Sequence, residues 1–160
     1  MKKIHGLRIA ALAAAAAGIL ASGAARADTQ VVTVSAQIIG ICKFVTGQTP
    51  VVTVANTGAN IDPSLAGPAT GSANITYNCT NGQAPTFAVP TPATVTCTTS
   101  GTCGSTTMAP AMSYTSGGNG SGFGSGNTKT LVVTGTLLAG QYQNMQSGTY
   151  SGTVTVTVTP

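Results

Sequence analysis

Beyond residue 27 the chain has no histidine, no glutamate and no tryptophan, and its formal charges are confined to Lys43, Lys129, Asp28 and Asp62. Each absence removes a class of chemistry. A Ser-His-Asp triad needs an imidazole, so it is excluded. Asp28 at the start of this stretch and Asp62 in a turn-rich segment make a poor glycosidase pair, and general acid-base catalysis has few other groups to use. The chain therefore does not read as an enzyme. Two cations against two anions cannot build a basic patch, so neither nucleic acid nor an anionic membrane surface is expected as a partner. The glycine-rich stretch 115–127 lacks both the GxGxxG spacing and the Lys-Ser/Thr ending of a phosphate loop, and no cofactor is expected.

The net charge of +4 comes from residues that precede this stretch, Lys2, Lys3, Arg8 and Arg26, which share it with the sole histidine, His5. Together with the apolar run 9–20 and the Ala25-Arg26-Ala27 site they form the anatomy of a signal peptide over 1–27, with cleavage expected after Ala27. The apolar run is shorter than the roughly 20 residues a spanning helix needs, and no second run follows. An exported chain, without stable membrane insertion, is the expectation.

What remains is rich in Thr, Val, Gly, Ser and Ala, and fits one domain with a sizeable core. Apolar and polar residues alternate in short segments separated by Gly, Pro, Asn and Ser, the pattern of an all-β sandwich. Strands are predicted at 30–39, 41–46, 51–55, 73–79, 86–89, 93–98, 111–115, 130–137 and 150–159, with almost no helix. The loop 115–127 is expected to be the most mobile. Near the C-terminus, Tyr150, Val154, Val156 and Val158 share one face of a strand and Ser151, Thr153, Thr155, Thr157 and Thr159 the other. No further strand follows this one before Pro160 to cover its edge. At the other end, "VVTVSAQI" sets Val32, Val34, Ala36 and Ile38 against Thr33, Ser35 and Gln37. Such a strand wants a groove, but periodicity does not say whose.

Cys42, Cys79, Cys97 and Cys103 lack the close pairing of zinc ligands and have no histidine to join them, so no metal site is expected. In an exported chain four cysteines favour disulfides, with three pairings open. The N-x-S/T triplets at Asn74, Asn78 and Asn119 read as chance matches in a Thr-rich chain. Loop residues Tyr114, Asn119, Tyr142 and Asn144 could contact a sugar, but solvated turn residues or subunit contacts fit them better.

A signal peptide, an alternating strand just before the first cysteine, "ITYNCTNG", "LVVTGTLLAG" and "GTYSGTVTVTV" together resemble the spore coat protein U domain family, which includes subunits of archaic (Csu-type) chaperone-usher pili. The likeness spans residues 28–160 and is weakest over 98–127. Where Gly152 stands, family members often carry an acidic residue. The resemblance implies an incomplete immunoglobulin-like β-sandwich completed by a donor strand from a neighbouring subunit. Residues 28–40 would be the donor-strand extension, with Val32, Val34, Ala36 and Ile38 as donor side chains. Residues 41–160 would be the pilin-like domain, with Tyr150, Val154, Val156 and Val158 on the strand bordering the acceptor groove. It further implies a Cys42–Cys79 disulfide, which leaves Cys97 for Cys103. The implied partners are a periplasmic chaperone, an outer-membrane usher and identical or related pilin subunits. The implied role is a structural subunit of a surface fibre for adhesion and biofilm formation, reached through the periplasm. The alternative is a soluble secreted coat or matrix protein, or a carbohydrate-binding module, whose sandwich is self-contained.

Overall fold

The computed structural model describes residues 28–99, 102–104, 106–124 and 126–160; the expected signal peptide, 1–27, lies outside them. The chain divides into two units, residues 1–37 and Ile38–Pro160. In the first, residues 28–37 are exposed throughout and belong to no β-ladder among the described residues, although their alternation predicts a strand. Alternation creates the demand for a buried face, and no described residue meets it in this segment.

The second unit is almost all β. Its described strands are β1 (Cys42–Phe44), β2 (Ala69–Cys79), β3 (Thr86–Ala88), β4 (Val95–Cys97), β5 (Thr107–Met108), β6 (Ala111–Thr115), β7 (Lys129–Leu137), β8 (Tyr150–Ser151) and β9 (Thr157–Thr159), with a one-turn helix α1 (Ala139–Tyr142). Four of them form an antiparallel sheet in the order β1-β2-β7-β6; β3 pairs with β9, and β5, β4 and β8 form a third sheet.

The β2–β7 ladder runs from Ala69↔Leu137 to Tyr77↔Lys129. Its alternating sequence explains its length: Ile75, Tyr77 and Cys79 on β2, and Leu131, Val133 and Leu137 on β7, are buried. The opposite face carries hydroxyls, among them Ser72 and Thr134, whose oxygens lie 2.9 Å apart across the strands. Two core clusters grow from the buried face. In one, Phe87 of β3 packs edge-on against Tyr77 with ring centroids 5.0 Å apart. The other joins Ala69, Met108, Leu137 and Tyr142.

The predicted strand 51–55 does not form; only Ala55 bridges, to Thr70. After β1 the side chain of Gln48 acts as a substitute strand residue, its Nε2 donating to the Thr76 carbonyl at 2.8 Å while its Oε1 accepts from the Thr76 N–H. The main chain is thereby freed to leave the edge of β2. It crosses the sheet's inner face at the register pair Gly71↔Gly135. A Cβ on Gly71 would strike the Thr53 carbonyl oxygen, and one on Gly135 would come within 3.2 Å of the Val52 and Val54 side chains. Gly71→Val should therefore destabilise the domain by about 2–3 kcal/mol, as overpacking against backbone does. Denaturant titration checks this, and a change below about 0.5 kcal/mol would mean that residues 51–54 do not rest on the notch.

Both disulfides join the partners the resemblance implies, Cys42 to Cys79 and Cys97 to Cys103. Such bonds suggest an oxidising environment outside the cytoplasm. No helix among the described residues is long and apolar enough to cross a membrane. The glycine-rich loop, expected to be the most mobile, is fastened over the Cys42–Cys79 bond. Gly120 N–H donates to Gln83 O at 2.8 Å, Gly122 N–H to Cys79 O at 2.9 Å, and Gly82 N–H to Gly120 O at 2.9 Å. Glycine here serves close approach: a Cβ on Gly120 would sit 2.5 Å from the Cys79 Cβ and the Thr80 carbonyl.

The Ser64 hydroxyl, and then its N–H, hold the Asp62 carboxyl below its ordinary value, with desolvation opposing them weakly. A lowered carboxyl contributes stability above its unfolded-state value and loses it as pH falls through the folded one. Asp62 is the only carboxylate side chain of the second unit. Its midpoint of urea unfolding should thus stay flat from pH 5 to about 9 and drop only in acid; a marked maximum inside that window would contradict this.

Candidate binding groove

Between the four-stranded sheet and the β8–β9 strip lies an open groove of about 1110 Å³. Its floor is the inner face of the sheet, with Ile75, Val133 and Leu137. One wall is the segment 50–54, held across the glycine notch, which turns Val52 and Val54 inward. The facing wall is the predicted strand 150–159, which is not continuous: it pairs at β8 and β9 but not between them.

Seven residues, 89–95, face five, 152–156, between the Ala88↔Thr157 and Thr96↔Ser151 pairs, so the two chains cannot keep a common ladder. Gly152 lies against the Thr94 carbonyl so closely that any Cβ would clash with it. This explains glycine where the resembled family often has an acidic residue. Gly152→Asp should cost about 2–3 kcal/mol in unfolding free energy through displaced backbone; an unchanged midpoint would show that the close approach is not maintained.

Two wall segments, 152–156 and 51–54, thus carry backbone N–H and C=O groups that have no backbone partner among the described residues. Such groups need partners wherever water is removed. The groove therefore combines an apolar floor with two bordering segments whose backbone is outside any ladder, which are features an added β-strand could use. It holds no acid-base pair, and no metal-ligating cluster occurs among the described residues.

Of the predicted wall residues, Tyr150, Val154 and Val156 line the groove. Val158 does not; it pairs with Phe87 and packs into the first core cluster. The burial of 153–159 alternates as the sequence predicts, with the valines half-buried and the threonines exposed. The four expected donor residues are all exposed, Val32 at 78%, Val34 at 88% and Ile38 at 86%, with Ala36 exposed as well. Their polar-face neighbours are equally exposed, so the structure does not distinguish the two faces. Of the loop residues considered for sugar contact, Tyr142 is instead buried, its hydroxyl 3.0 Å from the Leu65 carbonyl and 3.1 Å from Asn56 Nδ2.

Sequence reasoning missed the 50–54 wall and the three methionines of the lining, Met108, Met112 and Met145. "VVTV" at 51–54 repeats "VVTV" at 31–34, a signal that both segments want an apolar groove. The methionines carry no sequence signal, because thioethers are ordinary core residues.

Comparison of the chain with protein-family models, with curated proteins and with solved structures finds no match.

Proposed function

We propose that this protein is a structural subunit of a surface fibre, an incomplete immunoglobulin-like sandwich whose groove receives residues 30–39 of a second copy. The observation that carries this reading is the pairing of a groove with an apolar floor, bordered by two segments outside any ladder, with an N-terminal segment of matching period that is exposed and joins no ladder among the described residues. Val32, Val34, Ala36 and Ile38 enter the groove, and the backbone of the incoming strand satisfies the free edges at 51–54 and 152–156. A one-residue slip would present Thr33, Ser35 and Gln37 to apolar pockets, so the register is enforced.

If the four side chains bury about 300 Å², the apolar gain is about 8 kcal/mol at ~25 cal/mol per Å², an upper figure because the free segment must be ordered. Each copy gives one strand and receives one. The contact is heterologous and grows as an open fibre rather than closing. By resemblance to the archaic chaperone-usher pilins, a periplasmic chaperone fills the groove first and an usher exchanges it for the next subunit. Adhesion and biofilm formation are the roles such a fibre serves.

The test is size-exclusion chromatography with negative-stain microscopy on residues 28–160 and on the same chain lacking 28–39. Fibres or SDS-resistant ladders are expected from the first alone. Equally stable monomers from both would mean that the domain is complete without a donated strand, as in a self-contained coat or binding module.

A further inference from the structure

Methionine occurs four times in the chain, at positions 1, 108, 112 and 145. All three that lie in the second unit line the groove. Met108 is buried at the floor's edge, while Met112 and Met145 are half-buried. Met108 belongs to the second core cluster, Met145 packs against it and Met112 packs against the first, so each thioether lies where the core opens into the groove.

We infer that the groove is a methionine-oxidation site, and that oxidation of Met112 and Met145 closes it to an incoming strand. The inference rests on the strand-accepting reading of the groove. Thioethers give the walls soft, adaptable surfaces suited to more than one apolar strand. The same sulfurs are the oxidisable atoms of the lining.

With hydrogen peroxide as oxidant, the sulfur lone pair attacks one of the two peroxide oxygens. An S–O bond forms as the O–O bond breaks; methionine loses two electrons and hydrogen peroxide leaves as water. The product sulfoxide is a polar acceptor on a formerly apolar wall. A strand that seats valines against it would strip water from the S=O group and offer no donor side chain in return.

The consequence is directional. An empty groove exposes Met112 and Met145 to oxidant, whereas a seated strand covers them, so free subunits are inactivated and assembled ones are spared. Methionine sulfoxide reductase, which returns sulfoxide to thioether, would reopen the groove.

The experiment treats residues 28–160 with graded hydrogen peroxide, with and without an excess of synthetic peptide 29–39. Sulfoxide at each methionine is counted by peptide mass spectrometry, and binding of fluorescently labelled peptide is read by polarisation. Seated peptide should slow oxidation of Met112 and Met145 by about tenfold or more, and prior oxidation should weaken peptide binding at least about tenfold. Reductase treatment should restore it. The double variant Met112→Leu, Met145→Leu conserves volume; whatever its own affinity for peptide, peroxide should change that affinity by less than about twofold.

Two results would overturn the inference and leave the groove reading standing: oxidised protein that binds peptide as tightly as untreated protein, or a leucine variant that loses binding to peroxide as fully as the parent. Peptide that binds no form, untreated protein included, would remove the groove reading itself and this inference with it. Restoration by reductase decides the matter independently of how well the leucine variant folds.

Discussion

If the groove takes a donated strand, Val34→Asp is expected to abolish fibre growth while leaving the chain able to receive a strand. The expectation follows from the two ends of one molecule doing separate work. Val34 is exposed in the unassembled chain, so aspartate there costs the fold nothing. In the assembled state the same position would sit in an apolar groove, against Val52, Val54 and Val156, with neither lysine of the second unit among the lining residues. An uncompensated buried charge costs about 3–5 kcal/mol, which weakens each junction by roughly two to four powers of ten. Thr33→Asp places the same charge on the outward face and should leave fibre length unchanged. Microscopy of the two variants checks the pair, and normal fibres from Val34→Asp would refute the assignment of that face.

Loss of the Cys42–Cys79 bond, as the double change Cys42→Ser, Cys79→Ser, should produce the largest stability defect of any pair of changes in the second unit. The bond closes a sequence separation of 37 residues, against 6 for Cys97–Cys103. In the chain-entropy treatment these correspond to about 4 and 2 kcal/mol. The longer bond also ties β1 to β2 at the register pair Cys42↔Cys79 and lies beneath the fastened loop at Gly120 and Gly122. Two hydroxyls left there would be buried with poor prospects of partners. Urea unfolding of each double serine variant measures the difference. Equal losses would show that the loop-closure argument does not govern this fold.

Much of the strand content was legible because alternation and β-branching act locally. Residues 73–79, 111–115 and 130–137 read as strands and lie within β2, β6 and β7. Legibility failed where a non-local contact decides. The segment 51–54 has the same sequence as 31–34, yet one becomes a groove wall and the other lies exposed, because only the first is placed over Gly71 and Gly135. The strand 150–159 reads as continuous, and its own alternation is preserved. The interruption comes from its neighbour, which supplies two residues too many between the paired ends. Loop 115–127 reads as mobile from its composition, while its Gly120 serves close contact with Cys79 and Thr80. Half of the candidate groove was therefore visible, in Tyr150, Val154 and Val156. The half built by Gln48, the glycine notch and the methionines was not, since each acts through contacts distant in sequence, such as Gln48 with Thr76 and Gly135 with Val54.

The measurement that tests the central claim most directly is amide hydrogen exchange over residues 51–54 and 152–156. It is made on residues 28–160 carrying Val34→Asp, which is expected not to donate, before and after addition of wild-type peptide 29–39. Rapid exchange is expected in both segments without peptide, and protection of both by about a hundredfold or more once a strand pairs with them. Exchange in both segments that is unchanged by peptide, or already slow without it, would contradict the claim that this groove is an open site for a donated strand.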